Sequence, residues 1–347
     1  MKRRLGLVVT SVVSLAALAI TAGSASAQQT GRQAHDHGHG GGYSFAVIGD
    51  IPYGDGEVAA FPKVVAQINA DPDVQLVDHL GDIKSGSSVC SDSYFQLIKS
   101  DFDGFQDPLV YTIGDNEWTD CHRPNNGAYN PLERMAALRQ EFFPRPGHTL
   151  GQHSVQVDSQ ADAGYPENVR YRRADVTFAA VHIVGSNNSM QPWTGNSVAT
   201  PEQTAEVLGR TASVIETIHE SFGSARKNHD RAVVLLTQAD MFDPTVTSPS
   251  FDDSYAFQPI VAALARESAT FPGPVYLFNG DSHTYNTDKP LASGSRWLSF
   301  YGLNRPVDNL TRVTIDGSDN ANNYLKVTVQ PHHKPVLTWT RVKFNAS

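Results

Sequence analysis

The chain has 347 residues, 27 of them basic and 36 acidic, a formal net charge of −9 and two cysteines. That balance excludes a sequence-independent nucleic-acid binder and a protein that adheres to anionic lipid, since both need a basic face. It leaves room for action on phosphate esters, because bound metal can supply positive charge locally.

Residues 1–27 read as a secretory signal peptide. Lys2, Arg3 and Arg4 open it, a largely apolar run extends from Leu5 to about Ile20, and Ala25-Ser26-Ala27 forms a small-residue cleavage signal. The run is short for a membrane span and has no basic stop beyond it, which favours cleavage over a retained anchor. Cleavage leaves 24 basic residues against 36 acidic ones, a net charge of −12. No later stretch is apolar enough to span a bilayer, so the mature chain is expected outside the cytoplasm, periplasmic or secreted. Residues 28–42 lack apolar periodicity and read as a disordered linker. His35, Asp36, His37 and His39 within it would bind divalent metal only loosely, because a floppy site loses entropy on ordering.

The ordered domain is expected over 43–347. A buried strand over 44–48 ends in Gly49-Asp50. Helical spacing follows over 58–70, with Pro62 in its first turns. A second strand over 74–80 ends in Gly81-Asp82, and a helix is predicted over 94–105. A third strand over 108–113 ends in Gly114-Asp115-Asn116-Glu117, and a helix follows over 131–143. Residues 155–184 read as strands, notably 169–173 and 176–184. A long amphipathic helix spans 201–222, with Thr200 placed to cap it and Pro201 at its first position. A strand over 232–236, a helix over 257–269 and a strand over 275–278 come next, the last ended by Gly280-Asp281. The tail over 309–343 alternates like antiparallel strands. No repeat of solenoid period is present. Strands and helices that alternate early, with more antiparallel character later, suggest an α/β sandwich with mixed sheets.

Four strands thus end in glycine followed by aspartate: Asp50, Asp82, Asp115 and Asp281. Glycine lets the backbone turn sharply and lets a ligand approach. Carboxylates that converge from several strand ends repel one another unless cations sit between them. In open sheets chemistry gathers at the carboxyl ends of strands, which is where these aspartates fall. The two cysteines, Cys90 and Cys121, lack the spacing of a metal-thiolate pair and read as one disulfide stapling two loops.

In these motifs the chain resembles the calcineurin-like metallophosphoesterase superfamily, which includes the purple acid phosphatases. That pattern runs Asp, Gly-Asp, Gly-Asn-His-Asp/Glu, a lone His after a strand, then Gly-His-x-His. Here Gly49-Asp50, Gly81-Asp82, Gly114-Asp115-Asn116-Glu117, Gln238 and Gly280-Asp281-Ser282-His283 stand in that order, over residues 43 to about 285. The resemblance implies a metallophosphoesterase-type α/β sandwich, its central mixed sheets flanked by helices. It implies two divalent metals held by Asp50, Asp82, Asp115, Asn116, Gln238, Asp281 and His283, with Asp82 between them. Ungapped alignment makes Asp115 the third-motif ligand and a one-residue shift makes it Asn116. Pro52 stands where the family often has a histidine, and Tyr53 is an additional candidate ligand.

Gln238 and Asp281 replace two family histidines, so the site is rich in oxygen. That leans towards Mn, Mg or Ca, with Fe and Zn still open. Asn116 also stands where the family has a histidine that assists the leaving group, and an amide cannot donate a proton as an acid. Glu117, His122 and Tyr53 are the candidates for that role. The function so implied is hydrolysis of phosphomonoesters or phosphodiesters by metal-activated water, on a phosphorylated small molecule or macromolecule. The alternative is a non-catalytic member that binds metal or a phosphorylated ligand. No sequence-specific nucleic-acid binding is expected. The chain has no GxxxxGK[ST], HExxH, GxSxG or post-strand GxGxxG motif. Among other residues, His79 reads as a support for Asp82, His182 as a core or lining residue, and His332 and His333 as solvent-facing. Ser186, Asn187, Asn188, Trp118 and Trp193 are candidates for the cleft wall.

Overall fold

The computed structural model describes residues 42–330 and 332–345. The signal peptide, the linker up to residue 41 and its histidines lie outside these residues. Strand β1 (Tyr43–Ile48) shows how the layers arise. Phe45 and Val47 enter a core between two sheets, while Ala46 and Ile48 enter a second core under helices, as the period of two requires. Strand β2 (Val74–His79) and strand β3 (Leu109–Tyr111) lie beside β1 in parallel. The helices Gly54–Asn69, Asp92–Phe102 and Pro131–Phe142 cover them, through Phe61, Ile68, Phe95, Phe102, Leu138 and Phe142.

The middle of the chain builds the second sheet. Its strands are β4 (Asp158–Gln160), β5 (Tyr165–Arg173), β6 (Val176–Ala180), β7 (Ala232–Thr237), β8 (Val275–Asn279), β9 (Asn286–Asp288) and β10 (Leu310–Thr314). The order is β4-β5-β6-β7-β8-β10-β9, with β6, β7, β8 and β10 parallel and the edges antiparallel. The helices Pro201–Lys227 and Gln258–Thr270 pack on its outer face through Val214, Phe222, Ile260 and Leu264. The first sheet is completed by β11 (Asn323–Val329) and β12 (Leu337–Lys343), giving the order β12-β11-β1-β2-β3. The fold is therefore an α/β sandwich of two mixed sheets with helices on both outer faces.

Local departures from the expected elements have local causes. Thr200 accepts from Gln203 N at 3.1 Å while Gln203 Oε1 accepts from Thr200 N at 3.2 Å, a reciprocal cap that fixes one helix start. That helix runs to Lys227 rather than 222, because Ala225 is still buried in the second core. The strand expected over 176–184 stops at Ala180, and beyond it His182 N donates to the side chain of Asn168 at 2.9 Å instead of to a ladder partner. The tail is not wholly antiparallel. β10 joins β8 in parallel, while β11 pairs antiparallel with β12 and with β1 in the other sheet. Period-two alternation records burial on two faces and does not record strand direction.

Candidate functional site

The parallel strands of both sheets end at one place. Asp50, Asp82, Asp281 and His283 have φ of 49°, 54°, 72° and 57°, left-handed values that cost energy outside glycine and cluster at functional sites. The glycines make room for this. A Cβ on Gly114 would lie 2.0 Å from Asp82 Oδ1. Gly81 has φ +92°, and a Cβ there would lie 2.7 Å from Gly114 N. The Asp50 N–H, donating to Gly81 O at 2.9 Å, ties the first two turns together.

Among the described residues two groups of side chains result, each with ligand atoms within 4.8 Å of one another: Asp50, Asp82 and His283, and Asp82, Asp115 and Asp281. Asp82 belongs to both. Both groups present donors of the kind hard divalent cations take. In the first group, His283 Nε2 lies 3.4 Å from Asp50 Oδ1. Tyr53 OH donates to Asp82 Oδ2 at 2.9 Å, and Asn116 Nδ2 reaches both that oxygen and Tyr53 OH at 2.8 Å. In the second group, Gln238 Nε2 lies 3.3 Å from Asp82 Oδ2, 3.0 Å from Asp115 Oδ1 and 3.1 Å from Asp281 Oδ1. Asp281 N bridges the groups, donating to both oxygens of Asp50 at 3.1 Å. Ser186 Oγ stands 2.9 Å from Asp115 Oδ2 and 3.1 Å from Asp120 Oδ1.

Burial and mutual repulsion dominate the electrostatics. Burial first, then Asp115, Glu117, Asp50 and Asp281, push the Asp82 carboxyl well above its ordinary range. Burial, Asp115 and Asp50 do the same to Asp281, and burial raises Asp115. The folded chain thus holds protons where a cation would serve instead. Burial and Asp82 raise the Tyr53 phenol well above its usual value, so it stays a donor. Burial alone would lower His283, but its hydrogen bond and charge pairing with Asp50 raise it. Asp120 rises to about 7 through burial and Asp115, although Arg123 pairs with it at 2.7 Å.

The expected site residues separate here. Asp50, Asp82, Asp115, Asp281, His283, Tyr53, Asn116 and Gln238 are brought together. Gln238, expected to offer oxygen, presents its amide nitrogen to the acids, because Oε1 accepts from Gly185 N at 2.7 Å. Glu117 turns under the strand ends, where Oε1 accepts from Gly114 N at 2.6 Å, Tyr111 OH at 2.8 Å and Asp82 N at 3.1 Å. It positions Asp82 rather than facing the cleft. His122 Nδ1 accepts from Thr194 N at 2.8 Å, and burial and Arg123 lower its pKa to about 4. Its bonds therefore lead away from the acids. Cys90 and Cys121 lie at disulfide distance, with Cα atoms 5.9 Å apart.

His79 is buried, with Nδ1 accepting from Gly81 N at 3.2 Å and Nε2 at 2.9 Å from Ile51 O, so it braces the turn that carries Asp82. His182 is buried against Glu167 at 2.9 Å, while His332 and His333 are exposed. Trp118 and Trp193 are buried; Ser186 reaches the site and the side chain of Asn188 turns to Arg210. Sequence reasoning missed Lys84, whose buried Nζ donates to Asn116 O at 2.7 Å and whose pKa falls to about 8 through burial. It also missed Asp120 with Arg123, and Arg312, which pairs with Asp240 at 2.5 Å behind Asp281. An arginine at the centre of the short strand LTRVT was the available signal for the last.

No family model matches the chain, and no curated protein matches it. Among solved structures it is similar to GAP50, the anchor in the inner membrane complex of Plasmodium, with a TM-score of 0.44 and 8% identity over 88% of this chain and 90% of that one. It is also similar to the purple acid phosphatase PPD1 from seeds of yellow lupin (Lupinus luteus), with a TM-score of 0.43 and 14% identity over 88% of this chain. The match spans 52% of the phosphatase, about half its length.

Proposed function

We propose that this chain is an exported, metal-dependent hydrolase of phosphomonoesters or phosphodiesters. The observation that carries the reading is Asp82, a buried carboxylate shared by two ligand groups at the strand ends of two sheets. A divalent cation bound there would polarise phosphoryl oxygens and lower the pKa of a bound water. The donors are one imidazole and otherwise oxygen, which favours Mn, Mg or Ca over softer ions. Tyr53, kept protonated by its surroundings, and the amide of Asn116 would orient a substrate oxygen beside Asp82. Arg123, half-buried against Asp120, would bring positive charge to an incoming phosphate. Export rests on the leader read in residues 1–27, and the cysteine pair suits an oxidising compartment. Among the described residues no helix is long and apolar enough to cross a membrane.

The test is turnover of chromogenic phosphomonoester and phosphodiester substrates by the mature chain, chelated and then supplied with Mn, Mg, Ca, Zn or Fe. Recovery with Mn or Mg is expected. If no ion restores turnover and no metal copurifies, the reading fails. A second reading, a non-catalytic binder of metal or a phosphorylated ligand, is favoured by one feature. Asn116 cannot act as an acid, and His122 is engaged with Thr194. Metal bound without turnover in the same assay would select it.

A further inference from the structure

We infer that the chain holds one cation, among Asp50, Asp82 and His283, and that the side-chain amide of Gln238 fills the place of a second among Asp82, Asp115 and Asp281. The inference rests on the metal-dependent reading above and concerns how many ions that site takes.

Gln238 Nε2 lies 3.0 to 3.3 Å from one oxygen of each of the three carboxylates, which come from three different strand ends. Its side chain is fully buried. The amide has one tenable orientation. Oε1 accepts from Gly185 N at 2.7 Å. Turned over, it would set N–H against N–H at Gly185 and oxygen against three acid oxygens. A divalent cation takes carboxylate oxygens at about 2.0–2.6 Å, inside the space this nitrogen occupies. To admit one, the amide must leave or turn, and the buried Gly185 N–H then loses its acceptor.

The surrounding backbone gives little room for either. A Cβ on Gly185 would lie 2.7 Å from Asp115 Oδ2 and 2.9 Å from Asp281 Oδ1, so the main chain already presses on the same acids. The first group differs. Its imidazole belongs to a side chain about a third exposed, and the donors that enter it each touch only part of it: Asn116 Nδ2 meets Asp82, Tyr53 OH meets Asp82 and His283, and Asp281 N meets Asp50. The residues therefore fit one ion well and a second one poorly.

The test counts ions directly. The full mature chain is chelated, equilibrated with excess Mn(II), freed of unbound ion and analysed for metal per chain, with the electron paramagnetic resonance spectrum recorded. One Mn per chain with the spectrum of an isolated ion is expected. Gln238→Glu keeps an acceptor for Gly185 N and offers the three acids a further ligand oxygen. Gln238→His offers an uncharged nitrogen ligand instead. At least one of the two variants should bind two ions and show exchange coupling. Two coupled ions in the unaltered chain would overturn the inference while leaving the metal-dependent reading intact. One ion in both folded variants would also overturn it. No Mn bound to the unaltered chain would overturn the metal-dependent reading, and the inference with it.

Discussion

The strand ends of the two sheets meet in one cluster but bring unlike chemistry to it. From the first sheet come Asp50, Asp82 and Asp115, carboxylates on sharp turns whose backbone is bound from below by Glu117 and His79. From the second come Asp281, the imidazole of His283, an amide at Gln238 and bare backbone at Gly185. Asp281 is itself held by Asp240 N at 3.2 Å, and Asp240 is held by Arg312. The first set offers most of the ligands, whereas the second adds the imidazole of His283 and hydrogen-bonds much of its remaining polarity to itself. Sites built from two sheets need not be symmetric. One side can supply most of the ligands while the other adds one and closes the cavity around the ion.

The largest effects should fall on carboxylates of the first sheet. Asp82→Asn removes the residue common to both groups and should abolish turnover. Asp50→Asn should weaken Mn binding by more than about 100-fold, the upper end for loss of a supporting partner, since a direct ligand is lost. Asp281→Asn should weaken it only about 10-fold, as expected of a residue acting through neighbours. The chromogenic assay reads the first, and isothermal titration with Mn(II) reads the other two. Equal losses in Asp50→Asn and Asp281→Asn would erase the asymmetry between the sheets.

A smaller effect separates support from chemistry. Glu117 Oε1 accepts three hydrogen bonds, while Oε2 is buried without a partner. Glu117→Ala strands two backbone donors and a phenol and should cost on the order of 3 kcal/mol in urea unfolding. Glu117→Gln keeps the accepting oxygen and should fold well and retain turnover. If Glu117→Gln folded but was inactive, Glu117 would act in the reaction itself rather than as a brace.

The carboxylate turns were legible in both sheets. Gly-Asp at the ends of apolar strands located Asp50, Asp82, Asp115 and Asp281, because such a strand fixes where its last side chain projects. Direction after the turn was not legible. Glu117 follows Asp115 by two residues, yet its carboxylate goes beneath the sheet, since three buried donors wait there. The orientation of Gln238 depends on Gly185, 53 residues away. His122 follows Cys121, yet it is claimed by Thr194, a loop residue no local pattern could name. Strand existence followed from burial patterns, but sheet membership in the tail depended on packing between distant segments.

The last predicted effect compares the cluster with a second buried acid. Asp78 lies between the sheets, where burial pushes its carboxyl well up and Tyr171 OH donates to it, 3.1 Å from Oδ1. For any carboxyl raised in the folded state, stability is fully present below its unfolded pKa and is lost as pH rises through the folded value. Asp82, Asp115, Asp281, Asp120 and Asp78 all act in this sense, as does His283, whose pKa is raised. His79 and His122, lowered to about 4, and His182, also lowered, oppose them only below about pH 6.5, where the unfolded imidazole is charged. Lys84, lowered to about 8, adds stability only above that. Between pH 6.5 and 8 the chelated protein should therefore lose stability, by about 1.4 kcal/mol per pH unit for each proton the folded chain retains. Mn(II) replaces protons in the cluster and should flatten most of that slope, but it cannot reach Asp78. The slope left in the loaded protein should shrink in Asp78→Asn. Thermal midpoints across the window, with and without Mn(II), read both parts. A slope unchanged by metal would mean that the cluster's protons are not what a cation displaces.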